Sequence, residues 1–321
     1  LSGMGVSPSP PLRRRVSDWM VITRFPLVPI STVYALVATL AVTRSLPVII
    51  EWFVFALLFH VLAFTDNNAC DWMVDIKNGN KAEFPIGKSV SVKDVYRFEA
   101  IVSAVFIAYS VYLHVDPFIL GTMVGFGLLY NRTSKSSLVS VPSVMLSYSP
   151  LPLAVYSGIT HHYSIPIIML VVYAMLYLVH NTHFMGSLKD LKYDDWNLMK
   201  LLGGRVEGDR IEVPTFVRLI PTIIKASSLI PLYFMYHYIP ALVFFIIPIA
   251  ASYYTFMMKT YNQRKMAIGF YFMSIPSTYA IAMAFIPVIG IINFIIIALF
   301  IPLWRFAFNY FITGFPANTE N

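Results

Sequence analysis

Polar positions along this chain are grouped rather than scattered. Apolar windows bounded by charge, proline or glycine fall at residues 21–43, 47–66, 95–114, 117–131, 141–159, 164–186, 214–236, 239–258, 266–285 and 287–312. Crossing roughly 30 Å of hydrocarbon takes about 20 apolar residues in a helix, and such runs recur along nearly the whole sequence. The stretch ALVFFIIPIAASYYTFMM is apolar on all sides. A transmembrane barrel would instead alternate apolar and polar residues in segments of about ten. The pattern therefore predicts an all-α fold, a polytopic transmembrane helical bundle.

Composition removes the soluble alternatives. The chain has 321 residues, of which 58% are hydrophobic and only 12% charged, with a mean hydropathy of +0.69. The opening LSGMGVSPSPPLRRRVSDWM carries three arginines but no apolar core before Trp19, so it is not expected to act as a signal peptide. Residues 1–18 read as a disordered basic arm, residues 19–313 as the membrane domain and residues 314–321 as a tail. Cys70 is the only cysteine, which excludes an intrachain disulfide and a cysteine-based zinc site.

Charge sets an expected orientation. With the N-terminus cytoplasmic, 21 of the 23 Lys and Arg residues lie in inside segments, Arg44 lies outside, and Lys225 falls within a span. Short loops on the cytoplasmic side carry such an excess. Loops 67–94 and 187–213, the long charged ones, are then both cytoplasmic. A basic rim facing anionic lipid accounts for the net charge of +7 without any nucleic acid.

The acidic residues are harder to explain by solvation. Asn67, Asp71 and Asp75 are spaced by four, and Asp190 and Asp194 repeat that spacing at the end of the sixth window. On a helix such residues share one face. A carboxylate at membrane depth costs about 2.5 to 3.5 kcal/mol on insertion scales. One acid at a membrane boundary is an ordinary helix end, but two clusters on the same side, each followed by a basic loop, call for a partner. Carboxylates helped by an amide oxygen are hard ligands of the kind Mg²⁺ accepts together with substrate phosphates. Two clusters facing one cavity would hold two Mg²⁺ ions against a diphosphate whose hydrocarbon tail lies in the bilayer.

At these residues the chain resembles a family. NNACDWMVD is similar to the NxxxDxxxD signature of the UbiA-type intramembrane prenyltransferases, and KDLKYDD to their second DxxxD. YNRTSK, with Tyr130 and Lys135, resembles the family's Tyr and Lys segment; RFPLVP, with Arg24, resembles its Arg-Pro entry; NKAEFPIGK, with Lys81 and Lys88, resembles a degraded form of its loop motif. The resemblance implies a nine-helix core, and the tenth window leaves room for an extra C-terminal helix. It also implies transfer of a prenyl group from a polyprenyl diphosphate to an acceptor, either a quinone-precursor aromatic or a lipid-like alcohol, with release of diphosphate. Asn67, Asp71, Asp75, Asp190 and Asp194 would hold two Mg²⁺ ions. Lys135 would bind the diphosphate, with Tyr130, Arg24, Lys81, Lys88 and Lys189 in its neighbourhood.

The chain departs from the family where Phe84 stands before Pro85 in place of an arginine, and where Ser187 takes a position often acidic. The loop after Asp194 is also long. Rival readings are a secondary transporter or ion pathway using intramembrane Asp residues, and a diphosphate lyase or cyclase on the same fold. Transporters favour midplane sites on broken helices, whereas these acids end their spans. His60, His180 and His183 read as hydrogen-bonded packing.

Overall fold

The computed structural model describes residues 12–77 and 84–313. Helices dominate, as the apolar windows require. In chain order they are α1 (Leu12–Ile22), α2 (Val28–Leu40), α3 (Leu46–Lys77), α4 (Val92–Tyr112), α5 (Pro117–Thr133), α6 (Ser140–Tyr148), α7 (Leu151–Thr160) and α8 (Ile165–Leu178). A π-helical segment, Val179–Met185, leads into α9 (Gly186–Lys189) and then α10 (Leu198–Leu201). A hairpin of β1 (Arg205–Glu207) and β2 (Arg210–Glu212) follows. The second part of the bundle is α11 (Thr215–Ser227), α12 (Leu229–Tyr236), α13 (Ile239–Phe244), α14 (Ile246–Phe256), α15 (Gln263–Ala284), α16 (Ile286–Ile289) and α17 (Ile291–Thr313).

Among the described residues, seven helical segments are long and apolar enough to cross a membrane, or up to eight if the bent pair Val16–Ile22 and Phe25–Leu40 counts as one span. The protein is thus an integral, polytopic membrane protein. This is fewer than the ten windows or the nine-helix core expected from sequence. The window at 117–131 forms α5, a helix of 17 residues. The window at 141–159 is cut into α6 and α7 by the turn at Ser149 and Pro150, where proline removes a backbone donor. At the N-terminus, α1 begins at Leu12, so residues 12–18, expected as part of a disordered arm, are helical.

One large apolar core joins α2, α3, α4, α7, α8 and α15, with Tyr34, Phe55, Phe106, Tyr173 and Phe285 buried in it. Two smaller clusters matter more for function because each anchors a charged loop. Phe84, Ile86 and Val90 pack against Ile22, Ala69 and Val95, pinning the segment before α4 onto α1 and α3. That packing gives Phe84 the role of an apolar anchor. Gly87 has φ +81° and a Cβ there would come within 2.9 Å of Trp72, so both the backbone and the close approach require glycine. Ser91 then caps α4, accepting from the Asp94 N–H at 3.1 Å.

The second cluster lies under residues 187–213. Phe184, Met185, Leu188, Leu198, Met199 and Ile211 pack with Phe256 and Tyr261. The hairpin turns at Gly208, φ +59°, and its second strand donates from Ile211 N to Lys259 O at 2.8 Å. Arg218, buried on α11, holds the arrangement by donating to the carbonyls of Val213, Phe256, Met258 and Ile211. The long loop is therefore a folded cap rather than a slack connection, and Ser187 serves it by accepting from Leu198 N at 3.2 Å.

Candidate active site

The first acidic row forms because α3 runs unbroken through it. Asn67, Asp71 and Asp75 lie one turn apart on this 32-residue helix, and the Asn67 amide donates to Asp71 Oδ2 at 3.1 Å. Both side chains are buried, at 8% exposure. The Asp75 side chain lies outside the described residues, as does Lys81. Asp66, one residue earlier, leaves the row: it accepts from the Asn131 amide of α5 at 2.7 Å.

Arg24 reaches this row from the break between α1 and α2. Its backbone is left-handed, φ 47° and ψ 41°, a conformation uncommon outside glycine. From there its guanidinium donates to Asn67 Oδ1 and Asn68 Oδ1, both at 3.1 Å, and lies over the Phe64 ring. The break is held by residues that sequence reasoning left without a role. His60 Nε2 donates to the carbonyls of Thr23 and Arg24 at 3.1 and 3.3 Å, since a carbonyl can only accept. Asn68 donates to Ile22 O at 2.6 Å. A polar residue on a lipid-length helix, two turns before Asn67, was the available signal for His60.

The second acidic pair is built differently from the expectation of a helical face. α9 ends at Lys189, and Asp190 to Asp194 lie on a turn that keeps one helical bond, Asp194 N to Asp190 O at 2.9 Å. Lys200 closes the turn by donating to the Asp194 carbonyl, and the Tyr261 hydroxyl fixes its start at Lys189 O. The helix loses regularity through the π segment at Val179–Met185, a feature frequent at functional sites. Asp194 is 5% exposed, and Lys189 lies 3.9 Å from Asp190.

Two adjacent residues after α5 bring the clusters together. The Ser134 hydroxyl donates to Asp71 Oδ1 at 3.4 Å, while Lys135 Nζ donates to both Asp194 oxygens at 2.9 and 2.8 Å. Tyr130, one turn earlier, lies within electrostatic range of Asp71, Arg24, Lys135 and Asp190 at once, and its ring meets His183 edge-on at 6.0 Å between centroids. Of the residues expected from sequence, Arg24, Asn67, Asp71, Tyr130, Lys135, Asp190 and Asp194 thus converge, with Lys189 beside Asp190. Lys88 is exposed on the turn that packs against Trp72, the neighbour of Asp71.

Among the described residues no group of three or more His, Cys, Asp or Glu side chains could hold a metal ion. The donor set still suits a hard cation. Asn67, Asp71, Asp190 and Asp194 present oxygen acceptors, and the Lys135 ammonium contacts both Asp194 oxygens. Each carboxylate has a positive or hydrogen-bond-donating neighbour, as buried charge requires.

The chain is similar in fold to a solved structure of digeranylgeranylglyceryl phosphate synthase, a synthase studied in membranes, with a TM-score of 0.59, 14% identity, and coverage of 86% of this chain and 99% of that one. At that identity the likeness is one of fold. No family model and no curated protein matches the sequence.

Proposed function

We propose that this chain is a Mg²⁺-dependent intramembrane prenyltransferase, moving a prenyl group from a polyprenyl diphosphate to an acceptor with release of diphosphate. The observation that carries this reading is the convergence of two acidic clusters, through Ser134 on Asp71 and Lys135 on Asp194, in a bundle similar in fold to digeranylgeranylglyceryl phosphate synthase. Asn67, Asp71 and Asp75 on one side, with Asp190 and Asp194 on the other, would hold two Mg²⁺ ions, whose chemistry is to neutralise charge on the departing diphosphate. Lys135 supplies a point charge that exchanges Asp194 for a phosphate oxygen. Arg24 keeps Asn67 and Asn68 oriented and adds positive potential at the same end. The acceptor is a quinone-precursor aromatic or a lipid-like alcohol, and the product named for the structural neighbour favours the lipid-like alcohol. The N-terminus and loops 67–94 and 187–213 face the cytoplasm, on the strength of the loop charge bias.

The deciding experiment incubates purified protein with Mg²⁺ and labelled geranylgeranyl diphosphate against a panel of both acceptor classes, following prenylated product and released diphosphate. Product with one class establishes the reaction. Neither product nor diphosphate with any acceptor refutes it.

A further inference from the structure

The π-helical segment Val179–Met185 holds three buried polar side chains, His180, Asn181 and His183, and each leaves it toward a different helix. His180 Nε2 pairs with Ser252 Oγ of α14 at 2.8 Å, the Asn181 amide donates to Ser274 Oγ of α15 at 3.1 Å, and His183 Nε2 donates to Ser140 O of α6 at 3.1 Å. On an α-helix residues 180 and 183 would share a face; i→i+5 winding turns them apart. The first two bonds tie the segment into the second part of the bundle. The third reaches toward the acidic clusters, because Ser140 is the first residue of α6 and ends the connection from α5 that carries Ser134 and Lys135.

That connection is held by hydrogen bonds more than by burial. Leu138 and Val139 are exposed, at 51% and 47%, whereas Ser140 is fully buried. From Ser140 the bonds run in series back to Lys135. The Ser140 hydroxyl donates to Ser137 O at 2.7 Å, and the N–H groups of Ser136 and Ser137 both donate to Thr133 O at 3.0 Å, closing a turn around Lys135. His183 also meets the near end of the connection, its ring edge-on to Tyr130 of α5. One side chain thus holds both sides of the turn.

We infer that His183 is a positioning residue for Lys135, acting through the Ser140 carbonyl, the Ser140–Ser137 bond and the Tyr130 ring to fix the turn that sets the Lys135 ammonium on the two Asp194 oxygens. A carbonyl can only accept, so the proton of the ring is on Nε2. His183 lies seven residues before Asp190 on the same run of chain. It therefore ties the element bearing the second acidic pair to the element bearing that pair's cation. Its effect on turnover rests on the prenyl-transfer reaction proposed above, but its effect on the place of Lys135 does not.

The full-length protein in lipid nanodiscs would be treated with acetic anhydride, and acetylation of Lys135 followed by mass spectrometry against Lys93, which is exposed on α4. His183→Phe keeps a ring against Tyr130 but has no donor for Ser140 O. It should raise the relative rate at Lys135 about fivefold, the factor for one internal hydrogen bond of about 1 kcal/mol, and His183→Gln, whose amide can donate to the same carbonyl, should bring the rate most of the way back. Ser140→Ala, which removes the next bond in the series, should raise it as well. In the transfer assay His183→Phe should raise KM for prenyl diphosphate with little change in KM for acceptor, and should add little in a Lys135→Gln background, because residues acting in one network are not additive. An unchanged Lys135 rate in folded His183→Phe or in Ser140→Ala overturns the inference, and so does full additivity with Lys135→Gln. Raised acetylation that His183→Gln reverses, in a protein without transfer activity, supports the positioning role and refutes the prenyl-transfer proposal instead.

Discussion

Lys135 holds Asp194 in a two-pronged contact, its Nζ 2.9 and 2.8 Å from the two carboxylate oxygens. The residues come from different parts of the bundle, and the lysine is only partly shielded, at 21% side-chain exposure against 7% for the aspartate. Removing the lysine leaves a buried carboxylate without its cation and a substrate phosphate without its donor. Loss of a charge-assisted hydrogen bond costs about 1.5 to 3 kcal/mol, or roughly tenfold to over a hundredfold. We therefore expect Lys135→Gln to weaken use of prenyl diphosphate by that factor while changing the apparent affinity for acceptor much less. Steady-state kinetics with each substrate varied in turn would check this; unchanged diphosphate kinetics would shift attention to Arg24 or Lys189.

Asp71 and Asp190 belong to different clusters and different elements, one on continuous helix and one on a turn. Asp71→Ala and Asp190→Ala should each abolish transfer while the protein still elutes as a single species in detergent. Near-normal turnover in either variant would reduce that cluster to a solvated helix end.

Divalent metal should be indispensable. Activity is expected to vanish in EDTA and to return with Mg²⁺ or Mn²⁺, since oxygen-only donors suit hard cations. Turnover in a preparation shown to be metal-free would exclude the two-cluster arrangement.

Orientation can be read by cysteine labelling once Cys70 is replaced by serine. A cysteine placed at Lys200 should react with an impermeant reagent added outside only after the membrane is made permeable, because that residue belongs to one of the Lys- and Arg-bearing loops expected on the cytoplasmic side. Labelling by an impermeant reagent from outside alone would invert the topology.

Arg218 offers a test of the folded cap. Arg218→Met would leave four carbonyl acceptors at the foot of the hairpin without their donor, and each buried polar group so stranded costs about 1 to 3 kcal/mol. Limited proteolysis should then cut within residues 200–213 at least ten times faster, an effect of about 1.4 kcal/mol. Because the same cap contains Lys200, which donates to the Asp194 carbonyl, transfer should fall as well. An unchanged cleavage rate would show that the hairpin does not depend on Arg218.

The apolar windows alone determined that this is a helical membrane protein and placed most of its helix boundaries within a few residues, because the bilayer demands long runs with internally satisfied backbone. The Asn67, Asp71 and Asp75 row was equally legible, since fourfold spacing on an uninterrupted helix leaves no other outcome. Its counterpart was not. Asp190 and Asp194 have the same spacing, but π-helical winding and the end of α9 put them on a turn, and local sequence carries no sign of the packing that causes this. Nor could sequence show that Ser134 and Lys135 face opposite clusters, that His60 and Asn68 hold the break where Arg24 turns inward, or that Arg218 donates to the Phe256 carbonyl. Most of those relationships join residues 36 to 63 positions apart, and only the packing of helices against one another brings such residues within hydrogen-bonding distance.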